Sequence, residues 1–258
     1  MTTTIILVVS RDSFLTEVIT SLELLKCDQT YTNLLCIVDG DANLYTKVRN
    51  LIQDTKFNER LTIQYPDRKK VKNFDVIYRR RRITAIHNFA KQQVGIADFV
   101  LLTEDDTIIP PNTLERLTAA INWHPGIVFA EGVEVGRWGT PYVGAWKFND
   151  IYEPTSVTSL AYKSSGVDDI DAGGFYCSLI DANVYKEHQF EMYESLGPDI
   201  SMGLRLRQKG YQCVVDWAVP CKHIHENGRK ERTILVPDET VQPTTLERKN
   251  ANNWQQIY

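Results

Sequence analysis

A short run, Phe99–Thr103, ends abruptly in three consecutive acids, Glu104, Asp105 and Asp106. That junction restricts the fold more than any other stretch of the chain. Five residues are too few for a helix with a face of its own, so the run reads as a strand buried on both sides. Open α/β sheets gather their ligands in the crevice beyond the strands' carboxyl ends, and a strand tip bearing carboxylates belongs there. Strand alternation turns Glu104 and Asp106 to one side and Asp105 to the other. Three adjacent acids repel one another unless a cation or water lies among them. An acid-x-acid pair suits a hard divalent ion that also holds phosphate oxygens. The ordinary alternative is a solvated acidic turn.

The stretches before it repeat one theme. Ile5–Val9 reads as a first buried strand, followed by a helix whose stripe is Phe14, Leu15, Val18, Ile19, Leu22 and Leu25. Leu34–Val38 is a second strand ending in Asp39, Gly40 and Asp41, then a helix marked by Leu44, Val48, Leu51 and Ile52, then a strand over Leu61–Tyr65. Strand–helix alternation predicts an α/β fold, with a mostly parallel central sheet flanked by helices and joined by right-handed crossovers. Asp39, at the second strand's tip, is placed to hydrogen-bond a base or ribose in the crevice, or to serve only its own turn.

Positions 68–82 carry eight cations, Arg68, Lys69, Lys70, Lys72 and Arg79–Arg82. Charge runs of this kind usually face water as a loop. Arg82 is nearest the following helix (Ile83–Val94) and offers a fork for a diphosphate. The whole run could also meet a polyanion such as DNA. The net charge of −4 argues against wholesale nucleic-acid coating and leaves room for a local basic patch. The five cysteines are scattered without CxxC spacing, which predicts reduced thiols in a cytosol-like compartment. The start, MTTTIILVVSRDSF, has no basic n-region, and no run approaches the roughly 20 apolar residues of a bilayer span. The expectation is a soluble, cytoplasmic protein.

Past a helix over Asn112–His124 and a strand over Ile127–Ala130, regularity fades from Glu131 to Val167, where glycines and aromatics alternate. Long irregular loops in a compact domain tend to be functional. Trp138 and Trp146 could stack on an acceptor or could anchor the loop to the core. Gly173 and Gly174, ahead of a strand over Phe175–Ile180, would let a ligand approach the backbone closely. Pro198 and Asp199 open a helix that Gly210 closes, with Asp199 favoured by the dipole of the first turn. A strand over Tyr211–Trp217 leads to His223-Ile-His225, whose i, i+2 imidazoles form a partial metal site. Residues 229–258 are polar and mixed in charge, a tail that hugs the surface or is partly disordered.

Taken in order, these motifs resemble the family 2-type inverting glycosyltransferases of the GT-A fold. The resemblance covers Ile5 to about His225 and implies a GT-A domain over 1–228. Its nucleotide-sugar half would be 1–110, its acceptor and catalytic half 111–228, with 229–258 as the tail. It implies that Asp39 contacts the nucleotide base and that the segment Arg82–Asn88 lies beside the donor diphosphate. Glu104-Asp105-Asp106 stands at the DxD motif, with Asp106 the direct metal ligand and Glu104 and Asp105 at the donor. His223 is the second metal ligand and Asp199 the catalytic base. Two positions depart from the family pattern, Glu104 for the first Asp and Pro198 for the acid before the base. The resemblance further implies Mn2+ or Mg2+ and a nucleotide-sugar donor, UDP-linked first. The acceptor is left open among a saccharide, a lipid-linked glycan, a protein and modified DNA. Alternatives are a retaining transferase, a DNA-base glycosyltransferase using the basic patch 68–82, and a silent sugar- or nucleic-acid-binding protein on the same fold.

Overall fold

The alternation of apolar runs and helical stripes folds as a mixed α/β structure. It is a computed structural model that describes residues 1–28, 31–66, 76–134, 143–194, 196–224 and a short strand at 245–247. In chain order the elements begin with β1 (Thr3–Val9), α1 (Leu15–Glu23), β2 (Thr32–Val38), α2 (Ala42–Gln53), β3 (Arg60–Gln64) and α3 (Val76–Ala90). Then come β4 (Phe99–Glu104), β5 (Thr107–Ile108), α4 (Thr113–Asn122), β6 (Ile127–Glu134), β7 (Ala145–Phe148), β8 (Ser156–Ser159) and β9 (Val167–Ile170). The last are β10 (Ala172–Gly173), β11 (Cys177–Asp181), α5 (Ala182–Glu187), α6 (Pro198–Gln208), β12 (Gln212–His223) and β13 (Thr245–Glu247).

The main sheet has the order β3-β2-β1-β4-β11-β6-β12-β5, with β9 added alongside β12. Strands β3, β2, β1 and β4 run parallel, as do β6 and β12. Strand β11 lies antiparallel between β4 and β6. The chain order reverses at β1, which has β2 on one side and β4 on the other. The register there pairs Val9 with Val38 and Val8 with Glu104. The tips of the three strands therefore end at one edge, the crevice where such sheets bind ligands.

Both faces of the sheet are covered, which is why β1 is apolar without alternation. Ile5, Leu7 and Val9 pack with Leu15, Val18 and Leu22 of α1, Val48 of α2 and Leu114 and Leu117 of α4. Ile6 points the other way, into a cluster with Ile86 of α3, Tyr185 of α5 and Met202 and Leu206 of α6. Leu7 is fully buried, and its truncation to Ala would cost about 2–5 kcal/mol. Asp41 caps α2 by accepting the N–H groups of Asn43 at 3.1 Å and Leu44 at 2.9 Å. All five cysteines are free: Cys36, Cys177, Cys213 and Cys221 are buried in strands, and Cys27 is half-buried.

Three expectations change. Helix α3 begins at Val76 and takes in Arg79–Arg82, which the sequence placed in a loop. Arginine is a good helix former, and burying Arg80 at 6% exposure leaves only one face of that turn to solvent. Strand β12 continues through Pro220 to His223, with a register shift between Val215 and Pro220 that accommodates a residue lacking an N–H. The stretch read as irregular, Glu131 to Val167, contains β7 and β8, which join β10 and β13 in a second sheet of order β10-β7-β8-β13. Strands of four residues are too short for alternation to show. Among the described residues no helix is long and apolar enough to cross a membrane.

Candidate active site

The site begins where β1 and β4 end together. Asp105 turns toward β1, and its Oδ2 accepts the Ser10 N–H at 2.6 Å, the Ser10 hydroxyl at 3.0 Å and the Arg11 N–H at 2.9 Å. Burial raises its pKa, and the Arg11 guanidinium, 3.2 Å from Oδ1, works against that rise. Asp105 thus fixes the turn after β1 and has little left to offer a ligand. Arg11 also hydrogen-bonds Asp106, so one guanidinium spans both neighbours.

Asp106 faces the opposite side and meets His223 because β5 pairs antiparallel with the end of β12. The register is Thr107 with His223 and Ile108 with Lys222, and the Ile224 N–H donates to the Asp106 carbonyl at 2.7 Å. His223 Nε2 lies 2.9 Å from Asp106 Oδ2, and its Nδ1 lies 3.2 Å from Glu134 Oε1. Burial pulls the His223 pKa down, but the two carboxylates outweigh it and push it up to about 9. Glu104 completes the group. One ligand atom each from Glu104, Asp106 and His223 falls within 4.8 Å of the others. Two hard carboxylates and one imidazole, from the end of β4, the turn that follows it and the end of β12, fit Mn2+ or Mg2+.

The donor-side residues expected from the sequence divide. Asp39 and Arg82 meet: Arg82 Nε donates to Asp39 at 2.7 and 3.0 Å, and its guanidinium lies 5.2 Å from the centre of the Tyr65 ring. They occupy the mouth of the crevice at the tip of β2. Asn88 instead donates to the Phe190 carbonyl at 2.8 Å and accepts the Phe190 N–H at 3.0 Å, which ties α3 to the chain after α5. Of the basic run, Arg79 and Arg81 are exposed and Arg80 is buried. Arg68, Lys69, Lys70 and Lys72 lie outside the described residues, as do Trp138 and His225.

On the opposite half, Asp199 stands in the first turn of α6 after Gly197. Its Oδ1 curls back so far that a Cβ on Gly197 would lie 2.4 Å away. Helix α6 packs backbone to backbone on β10: a Cβ on Gly203 would meet the Ala172 Cα and the Asp171 carbonyl at 2.5 Å each. Gly174 donates its N–H to Glu131 Oε2 at 2.7 Å, and Gly173 lies directly over the same carboxyl group. Trp146 is 2% exposed and packs with Val157, Ala172, Leu196 and Ile200. Its ring therefore faces the core of the small sheet and not solvent.

Sequence reasoning passed over Arg11, Glu131 and Glu134. A signal for the two glutamates was present, since IVFAEGVE is otherwise apolar and acids inside a buried strand must serve something. Tyr176 braces the same segment by accepting the Glu134 N–H and donating to the Gly132 carbonyl, each at 3.0 Å.

Residues 2–238 match the family described as glycosyltransferase like family 2. No curated protein sequence matches the chain. Among solved structures, one of GalNAc-T7 with UDP, GalNAc and Mn2+ aligns over 87% of this chain and 44% of its own, at 12% identity and a TM-score of 0.62. A mannosyltransferase, PcManGT from Pyrobaculum calidifontis, with GDP-Man and Mn2+ aligns over 88% and 58%, at 11% identity and a TM-score of 0.61. S. aureus TarS with UDP-GlcNAc aligns over 87% and 59%, at 14% identity and a TM-score of 0.55. The chain thus spans roughly half the length of these neighbours, and at such identities they speak for the fold. With a switch-point sheet, an acid-tipped β4 and a family match over nearly its whole length, this chain belongs to glycosyltransferase like family 2 and has the GT-A fold.

Proposed function

We propose that this protein is a metal-dependent glycosyltransferase that moves a sugar from a nucleoside-diphosphate sugar to an acceptor hydroxyl, with inversion at the anomeric carbon. The observation that carries the reading is the convergence of Glu104, Asp106 and His223 at the carboxyl edge of the sheet. A manganese or magnesium ion held by these three would supply Lewis-acid relief of the charge that develops on the departing nucleoside diphosphate. Asp39 is the group at the β2 tip that hydrogen-bonds the base or ribose. Arg82, oriented by Asp39, brings positive charge to the donor side. Asp199 accepts the proton of the acceptor hydroxyl as that oxygen attacks. The neighbours carry UDP, UDP-GlcNAc and GDP-Man, so UDP-linked donors come first and GDP-mannose belongs in the same screen.

The test is nucleotide release from a panel of UDP- and GDP-sugars with Mn2+, offered saccharide, lipid-linked, peptide and hydroxymethylated-DNA acceptors in parallel. Release that requires both the ion and Asp106 is the expected result. Transfer that persists after chelation removes the metal dependence, and a retained anomeric configuration in the product removes inversion. If no donor is turned over and none raises the melting temperature, the transferase reading fails.

A further inference from the structure

Strand β6 is buried at every position, and Glu131 near its middle is fully shielded from water. Its Oε2 accepts the Gly174 N–H, and its Oε1 has no hydrogen-bond partner among the described residues. The titratable groups that face it are Asp199 of α6, Cys177 of β11 and Glu134 of its own strand. Tyr176 and, from β12, Cys213 and Cys221 also lie close enough to interact with it. Every one of these is neutral or, when ionised, negative. Burial, with only the Gly174 N–H opposing it, keeps the Glu131 carboxyl protonated well above the usual carboxylate range.

The contacts around it are equally specific. A Cβ on Gly173 would lie 2.1 Å from Glu131 Oε2, so the carboxyl group is wedged against the second residue of β10. Helix α6 rests on β10 through Gly203, with no side chain between the two backbones. Carboxyl group, two-residue strand and helix therefore form a stack whose far end carries Asp199.

We propose that Glu131 is a positioning residue for Asp199: its carboxyl group, wedged beneath Gly173 and Gly174, sets the seat of β10 and through it that of α6. This inference rests on the reading of Asp199 as the base. Ionisation of Glu131 at high pH weakens the wedge by leaving a buried charge with one hydrogen bond. Glutamine reproduces the shape and the Gly174 contact of the neutral acid and cannot ionise.

Three variants and one spectrum decide the matter. Glu131→Ala removes the wedge and loses transfer, and Glu131→Gln recovers it. Glu131→Asp, one methylene short, lowers kcat by about tenfold or more while leaving the donor KM in place. An alkaline decline of kcat is expected of the wild type and is absent from Glu131→Gln. A Glu131→Gln enzyme as inactive as Glu131→Ala, or one with the wild-type alkaline decline, overturns the proposal. The infrared difference spectrum between wild type and Glu131→Gln needs no donor. At neutral pH it shows the carbonyl stretch of a protonated carboxyl group; carboxylate bands in its place overturn the proposal even if turnover is never found. Full turnover by Asp199→Asn would instead remove the base reading, an outcome distinct from either Glu131 result.

Discussion

Gly203→Ala sets helix propensity against packing, and the structure decides the sign. Gly203 lies in the interior of α6, where alanine is worth about 1 kcal/mol more than glycine to a helix free of neighbours. In place, the added Cβ would meet the Ala172 Cα and the Asp171 carbonyl oxygen at 2.5 Å and the Ala172 Cβ at 2.8 Å. Two of these are backbone atoms, so no rotamer change relieves the clash. Carbon contacts settle near 3.5–4.0 Å, and the helix must therefore withdraw from β10 by about 1 Å. Overpacking of this kind costs about 1–3 kcal/mol, which exceeds the propensity gain by up to about 2 kcal/mol. At roughly 2–4 °C per kcal/mol for a chain of this size, the melting temperature falls by up to about 8 °C. Asp199, one turn earlier on the same helix, moves with it, and a 1 Å displacement of a reacting group costs on the order of a hundredfold in rate. Thermal unfolding and steady-state transfer measure the two effects. Gly95→Ala, where a Cβ would meet nothing within 4 Å, is the control. A Gly203→Ala protein that melts higher than the wild type and keeps its kcat would refute the direct seating of α6 on β10.

Metal binding is the second expectation: Asp106→Asn abolishes Mn2+ binding in titration calorimetry, and Glu134→Gln, which alters the group 3.2 Å from His223 Nδ1, weakens it by about 10–100-fold. Unchanged heats in the glutamine variant would show that Glu134 does not orient His223. Asp199→Asn should remove transfer while leaving donor binding and the melting temperature close to wild type; loss of donor affinity in step with rate would place Asp199 on the donor instead. Acid lability is the fourth. Burial lowers the pKa of His87 to about 3, and burial with Lys209 and Lys91 nearby lowers that of His188 to about 4. The folded protein keeps both neutral, and the unfolded chain protonates them below their ordinary value of 6.5. Stability present above pH 6.5 is thus lost as the pH falls toward 3–4, by on the order of 1.4 kcal/mol per pH unit for each histidine. Chemical denaturation from pH 7 to pH 4 should show that slope, shallower in His87→Gln; parallel slopes would count against it.

Much of the scaffold was legible because parallel strands buried on both faces are short, continuous apolar words. β1, β2 and β4 stand out for that reason, and the acids that end β2 and β4 mark the edge where they stop. His223 was findable from the acids and from its place after a long strand, though only the β5–β12 register explains how it reaches Asp106. The start of α3 was hidden because four consecutive arginines carry no apolar period, and β7–β9 because four residues are too few to display one. Arg11 reads as one more surface cation until β1 and β4 are seen to end side by side. Glu131 and Glu134 were missed for a different reason. Two acids in an otherwise apolar strand are the sign of them, but the groups they face, Gly174, Tyr176, Asp199 and His223, are all distant in sequence, so what they serve could not be read.

The free cysteines give the protein a means of reporting its own breathing. Cys36 sits in β2, Cys177 in β11, and Cys213 and Cys221 at two heights of β12, each sealed from solvent. A thiol reagent therefore reaches one of them only when that strand opens. Brief alkylation followed by peptide mass mapping would date the parting of each strand separately, with Cys27 as the early marker, and so rank the two halves of the sheet by how often they come apart.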